Sequence, residues 1–271
     1  MAILNLTPDS FSDGGAYPTV QAAVEAASRA AAEGADILDL GGESTRPGAA
    51  RVPADEQIRR VIPVLTAIRA GRLAAIPISI DTTLSPVAAA AIEAGATIIN
   101  DVSAGNEDPA ILDLAAEHRT GLVLMHRLAP PGKDSYSDRY AEPPRYVDVV
   151  HAVREFLASR AALAESRGVA RSSIILDPGL GFGKTVEQNL ELIRRTPELA
   201  MLGYPILSGV SRKSFVGRAA RMETSMPAER LAPSIALTVA HYFAGASIFR
   251  VHDVAPAVQA LRAASTACQK P

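Results

Sequence analysis

The sequence predicts an α/β fold: one (β/α)8 TIM barrel, residues 1–271 forming a single domain, with the functional end at the C-terminal ends of the strands. Three observations carry this. Short β-branched or aliphatic runs, eight in all, alternate with longer Ala-rich stretches of helical periodicity. Gly34, Gly95, Gly168 and Gly245 each stand just before a strand run, where the glycine that ends a helix belongs. A chain of 271 residues gives each of eight strand–helix units about 34 residues, enough for the crossover between parallel strands. A doubly wound open sheet has the same periodicity, which does not distinguish a closed circle from an open edge.

Taken in order, the strand runs are Ala2–Leu6, Asp36–Leu40, Ile76–Ile80, Thr97–Asp101, Leu122–Met125, Ser173–Asp177, Pro205–Val210 and Ser247–Val251. Helical patterns fill the gaps, among them Val20–Glu33, Asp55–Ala70 and Val147–Glu165, the last with Val150, Val153, Leu157 and Ala161 at three-to-four spacing. Pro233–Ala244 and Ala255–Ala267 are apolar enough to offer the face of a homodimer, although core burial explains them equally well. Arg127–Arg145, with four prolines, is the longest irregular segment and reads as a mobile surface loop after the fifth strand.

Composition narrows the class further. Hydrophobic residues make up 48% of the chain and aromatic residues only 4%, which excludes a disordered chain and requires an aliphatic core. Twenty-seven basic residues against twenty-nine acidic ones, without long blocks of one sign, argue against nucleic acid or a membrane surface as partner. The single cysteine, Cys268, rules out an intrachain disulfide or a cysteine-based zinc cluster and fits a reducing, cytoplasmic setting. Met1-Ala2-Ile3-Leu4 leads straight to Asn5 without signal-peptide character, and no apolar run approaches the ~18 residues of a membrane span.

Polar residues collect where a barrel would put its active site: Asn5, Glu43-Ser44-Thr45-Arg46, Asp81-Thr82, Asn100-Asp101, His126, Asp177, Ser211-Arg212-Lys213, and Arg250 with His252. Asp81, Asn100, Asp177 and Lys213 come from different strands and would converge at the mouth. Carboxylates and an amide suit the amino and N–H edge of a flat amidine-like heterocycle, and an ammonium suits its carbonyl or ring nitrogen. An internal ion-pair network is the alternative. Asn5, Thr45, Arg46, Arg250 and His252 form a second, donor-rich set suited to an anion such as diphosphate. Arg250 and His252 stand two apart, which on a strand turns both to one side.

Pro178-Gly179-Leu180-Gly181-Phe182-Gly183-Lys184-Thr185 resembles a phosphate-cradling loop but lacks the glycine spacing of either nucleotide motif. It remains either a ligand-approaching loop with Phe182 in its midst or a structural turn. Asn5 to Gly15 is a long polar loop in which Asp9 and Asp13 offer oxygens for magnesium; an ordinary N-capping loop reads the same way. No metalloprotease or hydrolase motif is present. His118, His151 and His241 sit in helical patterns and read as surface or core residues.

Five segments together resemble dihydropteroate synthase: Asn5-Leu6-Thr7-Pro8-Asp9-Ser10-Phe11-Ser12-Asp13-Gly14-Gly15, Gly41-Gly42-Glu43-Ser44-Thr45-Arg46-Pro47-Gly48, Asp177-Pro178-Gly179-Leu180-Gly181-Phe182-Gly183-Lys184, Ser211-Arg212-Lys213 and Arg250-Val251-His252-Asp253. The resemblance implies a barrel that joins 6-hydroxymethyl-7,8-dihydropterin diphosphate to 4-aminobenzoate, giving 7,8-dihydropteroate and diphosphate in folate biosynthesis. It implies that Asp81, Asn100, Asp177 and Lys213 hold the pterin. Diphosphate would meet Asn5 through Mg(2+), with Thr45, Arg46, Arg250 and His252 around it. Aminobenzoate would lie against Thr7, Pro8, Asp9, Phe11, Phe182 and Ser211. Asn5, Asp81, Lys213, Arg250 and His252 would carry the catalysis, which the resemblance and the chemistry of the dihydropterin together make a dissociative substitution. Sulfonamide inhibition is the default expectation, and Gly181-Phe182-Gly183-Lys184 shows no insertion of the kind some resistant relatives carry beside Phe182. One departure is Pro233, where the family pattern leads us to expect a small residue. A methyltetrahydrofolate-dependent methyltransferase would share the pterin residues but needs no diphosphate site; a non-catalytic pterin-binding barrel would lack the first loop or the anion residues.

Overall fold

The computed structural model describes residues 1–6, 19–222 and 224–268. Thr7, Pro8, Asp9, Phe11 and Asp13, all assigned a binding role above, lie outside the described residues.

Strands β1 (Ala2–Asn5), β2 (Leu38–Gly41), β3 (Ile78–Asp81), β4 (Ile98–Asp101), β5 (Gly121–Met125) and β6 (Ile174–Asp177) form one parallel sheet in chain order. Strands β7 (Leu207–Ser208) and β8 (Ile248–Phe249) form a parallel pair. Parallel bridges Leu176–Ile206 and Ala2–Val251 join the two. Their hydrogen bonds include Leu176 N–H to the Pro205 carbonyl at 2.9 Å and Ile3 N–H to the Val251 carbonyl at 3.0 Å. The strands therefore complete a circle, and the open-sheet alternative falls. β7 is shorter than the run Pro205–Val210 suggests, because Pro205 has no N–H to donate and Gly209 no side chain to pack.

Between the strands run α1 (Val20–Ala32), α2 (Ala54–Ala70), α3 (Ser85–Glu93), α4 (Ala110–His118), α5 (Val149–Ser166), α6 (Val186–Arg194), α7 (Thr196–Ala200), α8 (Ser214–Ala219), α9 (Leu231–Phe243) and α10 (Val254–Cys268). Thr19 and Asp148 cap α1 and α5 with side-chain oxygens, which fixes their starts. Gly34, Gly95, Gly168 and Gly245 adopt φ between 97° and 108°, the left-handed conformation that turns a helix into the next strand. Pro233 sits in the first turn of α9, where the N–H it lacks would have no intrahelical partner, so the helix begins undisturbed.

Alternation along each strand separates two environments. Leu38, Leu40, Ile78, Ile80, Ile99, Leu122, Leu124, Ile174 and Leu176 face outward and are buried against the helices. Each contributes on the order of 1.5–3 kcal/mol relative to exposure. The small side chains of Ala23, Ala26, Ala27 and Ala30 let α1 lie close to the strands. The intervening positions face the lumen, where Asn5, Asp39, Ser79, Asp81, Asn100 and Asp177 stand among Ile3, Ile98, Val123 and Ile175.

Candidate active site

At the C-terminal end of the barrel, Asn5, Gly41, Asp81 and Asn100 stand beside one another in register, from β1 to β4. Asp177 ends β6, Lys213 precedes α8, and Arg250 follows β8. Both Asp81 and Asn100 are buried, as is Asp177. The guanidinium of Arg250 spans two carboxylates: Nε donates to Asp39 Oδ2 at 2.7 Å and Nη2 to Asp81 Oδ2 at 2.7 Å. Asn100 Nδ2 reaches the same Asp39 oxygen at 3.4 Å.

These contacts join the two expected sets. Arg250 belongs to the carboxylate set as much as to the anion set, so the two sets form one site. Arg250 and His252 flank Val251, whose bridge to Ala2 carries the strand pairing past Phe249; Arg250 bonds Asp39 and Asp81, and His252 lies against Ser211.

Burial pushes the Asp81 carboxyl above its ordinary range, against the pull of Arg250, and Asp39 and Glu43 push the same way. The same desolvation raises Asp177, with Lys213 opposing it. Asp177 Oδ1 accepts the Gly179 N–H at 2.7 Å, which aims the strand-six loop. Lys213 Nζ donates to the Leu180 carbonyl and stands 4.4 Å from the centre of the Phe182 ring. Burial lowers Lys213 to about 8, with Asp177 opposing the shift.

His252 Nδ1 lies 3.0 Å from Ser211 Oγ, which also accepts the His252 backbone N–H at 3.2 Å. Desolvation, then Arg250 and Arg212, hold the imidazole down at about 3, so it is neutral. With Ser211 Oγ accepting from the backbone, its O–H is best directed as donor to Nδ1, which leaves Nε2–H as a donor. Arg46 acts electrostatically on His252 across the mouth, and Thr45, beside it, is partly exposed. Arg212 turns away, held by both oxygens of Asp253 at 2.9 and 2.5 Å.

Phe182 packs against Val102 and Met125, is mostly buried, and presents its ring face to Lys213. The glycines around it have specific tasks. A Cβ on Gly179 would lie 1.8 Å from the His126 carbonyl, and one on Gly181 would lie 2.8 Å from Lys213 Cδ. Arg127–Arg145, expected as a mobile loop, makes specific bonds within itself and to the loop after β6. Asp134 Oδ2 accepts the Gly183 N–H at 3.0 Å, and Tyr140 O–H donates to Asp134 Oδ1 at 2.5 Å. Just beyond, Tyr146 O–H donates to the Gly183 carbonyl at 2.9 Å. These bonds fasten the fifth loop to the sixth.

Two residues escaped the sequence reading. Asp39 is a carboxylate within the aliphatic run Asp36–Leu40, and that mismatch was the available signal. Lys184 is wholly buried; its Nζ reaches Phe182 O at 2.8 Å, Gly179 O at 2.9 Å and His126 Nδ1 at 3.0 Å. Its signal was a lysine closing a glycine-rich turn that no phosphate motif explained.

Fold and site together define a (β/α)8 barrel with carboxylates, an amide and cations clustered at its mouth. Residues 1–252 match the family described as pterin binding enzyme. The chain is 43% identical over 265 residues to the dihydropteroate synthase of Synechocystis sp., covering 97% of this chain and 88% of that protein. It superposes on a structure of Xanthomonas albilineans dihydropteroate synthase with 4-aminobenzoic acid at a TM-score of 0.89, with 43% identity, covering 100% of this chain and 93% of that one. A structure of the same organism's enzyme with 7,8-dihydropteroate gives a TM-score of 0.85 at 40% identity, covering 100% and 94%. The chain belongs to the pterin-binding enzyme family, among the dihydropteroate synthases.

Proposed function

We propose that this chain, an alkyl-group transferase, condenses 6-hydroxymethyl-7,8-dihydropterin diphosphate with 4-aminobenzoate to give 7,8-dihydropteroate and diphosphate. The observation that carries the reading is the meeting of Asp81, Asn100, Asp177, Lys213 and Arg250 at one barrel mouth, in a chain closely similar to enzymes crystallised with 4-aminobenzoate and dihydropteroate.

In this reading the buried carboxylates and the Asn100 amide take the pterin amino and N–H edge, and Lys213 Nζ donates to its carbonyl or ring nitrogen. The bond between the exocyclic methylene carbon and the diphosphate oxygen breaks with both electrons going to oxygen, and the electron-rich dihydropterin spreads the cation. Arg250 and the His252 Nε2–H, with Thr45 and Arg46, face the developing negative charge. The arylamine nitrogen then attacks the methylene carbon and sheds one proton. Because that amine is neutral and nucleophilic at pH 7, no strong base is needed. Phe182 and Ser211, with Thr7, Pro8, Asp9 and Phe11 of the first loop, would border the aminobenzoate.

Among the described residues no group of three or more His, Cys, Asp or Glu is placed to hold a metal. The Asn5 amide oxygen, a hard donor next to the space Gly41 leaves free, fits an ion carried chiefly by the phosphates of the substrate. Mg(2+) bound there would supply Lewis-acid neutralisation of the leaving group.

We further infer one domain over residues 1–271, a cytoplasmic setting and a homodimer. Among the described residues no helix is long and apolar enough to cross a membrane. In support of the dimer, α9 buries Ser234, Thr238 and His241 while Leu231 and Phe243 are exposed at 37% and 57%, an inside-out pattern that asks for a partner. Diphosphate release requiring both substrates and magnesium is the expected result of a coupled assay. Pterin binding without turnover would instead favour the non-catalytic barrel, and methyl transfer from methyltetrahydrofolate would favour the methyltransferase. Sulfonamides should compete with 4-aminobenzoate in that assay.

A further inference from the structure

The reading above leaves one buried carboxylate unexplained. Asp39 lies mid-strand in β2, inside the lumen and fully buried. Its Oδ2 carries the bonds from Arg250 Nε and Asn100 Nδ2, while its Oδ1 has no partner. Its register neighbour Ser79 likewise has an unpartnered, buried Oγ. A half-satisfied carboxylate in a barrel interior is costly, and an aliphatic side chain would pack there at lower cost. The gain must therefore lie in what Oδ2 holds.

Arg250 is held on two edges by carboxylates at different depths. Asp81 ends its strand at the mouth and is the residue assigned to the pterin, so an arriving pterin competes with Arg250 Nη2 for Asp81 Oδ2. Asp39 sits two residues before the end of β2, one side-chain layer deeper, and its bond to Nε survives that exchange. We propose that Asp39 is a positioning residue for Arg250, anchoring the Nε edge from the barrel floor so that the Nη groups stay aimed at the leaving group when pterin takes Asp81. This rests on the assignment of Asp81 to the pterin.

The test is a double-mutant cycle on the full chain with D39N, R250M and the double variant, read as kcat, as KM for 4-aminobenzoate and as affinity for 7,8-dihydropteroate by calorimetry. D39N keeps the volume and one acceptor oxygen. It should lower kcat by about tenfold while KM for aminobenzoate stays within about twofold. In the R250M background the same change should cost less than about twofold. An equal loss in both backgrounds, or a KM that rises as kcat falls, overturns the proposal. If D39N alone does not fold, the double variant decides: recovery of folded protein supports the proposal, because the uncompensated guanidinium was then the fault. Failure of both overturns it and leaves Asp39 a role in the barrel floor only. D81N separates the two readings. If it binds dihydropteroate as the unmodified chain does, the pterin assignment falls, whatever the cycle reports.

Discussion

Lys184 and Lys213 flank the same glycine-rich loop and do opposite work. Lys184 spends its donors on protein: two carbonyls and a histidine nitrogen at 2.8 to 3.0 Å, with no exposure. Lys213 has the Leu180 carbonyl, an aromatic face and a nearby Asp177, and remains partly open to the mouth. One lysine ties the loop into a knot; the other is what the knot presents. Residue type does not separate them, since both are lowered by burial, Lys184 to about 7 and Lys213 to about 8. Unspent hydrogen-bonding capacity facing the cavity does.

The largest effect that would break this division comes from the knot. Lys184→Met keeps the aliphatic length; Gly179 O keeps the Phe182 N–H, while Phe182 O and His126 Nδ1 lose their donor, each loss worth roughly 1–3 kcal/mol. Stability in urea should therefore fall by about 2–6 kcal/mol. A loss under about 1 kcal/mol would mean that the three bonds contribute little and that the loop is held by Asp134 and Tyr146 alone. Lys213→Ala should do the reverse. Pterin affinity by calorimetry should drop about 100-fold, roughly 2.7 kcal/mol, with little change in the urea midpoint. Unchanged affinity would remove Lys213 from the site, and a large stability loss would make it a second knot.

How much of this the sequence disclosed follows from the same distinction. Strand order and the helix-ending glycines were legible because periodicity and left-handed turns are local. Asp81, Asn100, Asp177 and Lys213 were legible because each ends a strand run or opens the loop beyond it. Asp39 was not, since it lies one layer below the mouth and its partner Arg250 is 211 positions away. The boundary between a heterocycle set and an anion set failed at Arg250 for a related reason: a side chain long enough to reach two neighbouring strands belongs to both. The bonds of Arg127–Arg145 were not legible, since its prolines signal only irregular backbone, whereas Asp134, and Tyr146 just beyond the segment, meet Gly183, 49 and 37 residues on.

The smallest effect concerns the two histidines of these regions. Burial, reinforced by Lys184, holds His126 down at about 2, and burial with Arg250 and Arg212 holds His252 at about 3. Both lie below the ordinary value of 6.5. An unfolded chain therefore binds more protons than the folded one between about pH 6.5 and the depressed values. The stability these groups contribute is complete above pH 6.5 and is lost as pH falls toward 3 and 2. His126→Gln, which keeps an acceptor for Lys184 but does not titrate, should flatten the fall in urea stability between pH 7 and 5 by about 1–2 kcal/mol. His252→Gln should flatten it similarly but should also lower kcat, because only His252 turns a donor toward the substrate. An equal kcat loss in both variants would erase the distinction between knot and mouth, and an unchanged acid slope in H126Q would mean that the knot binds no fewer protons than the unfolded chain.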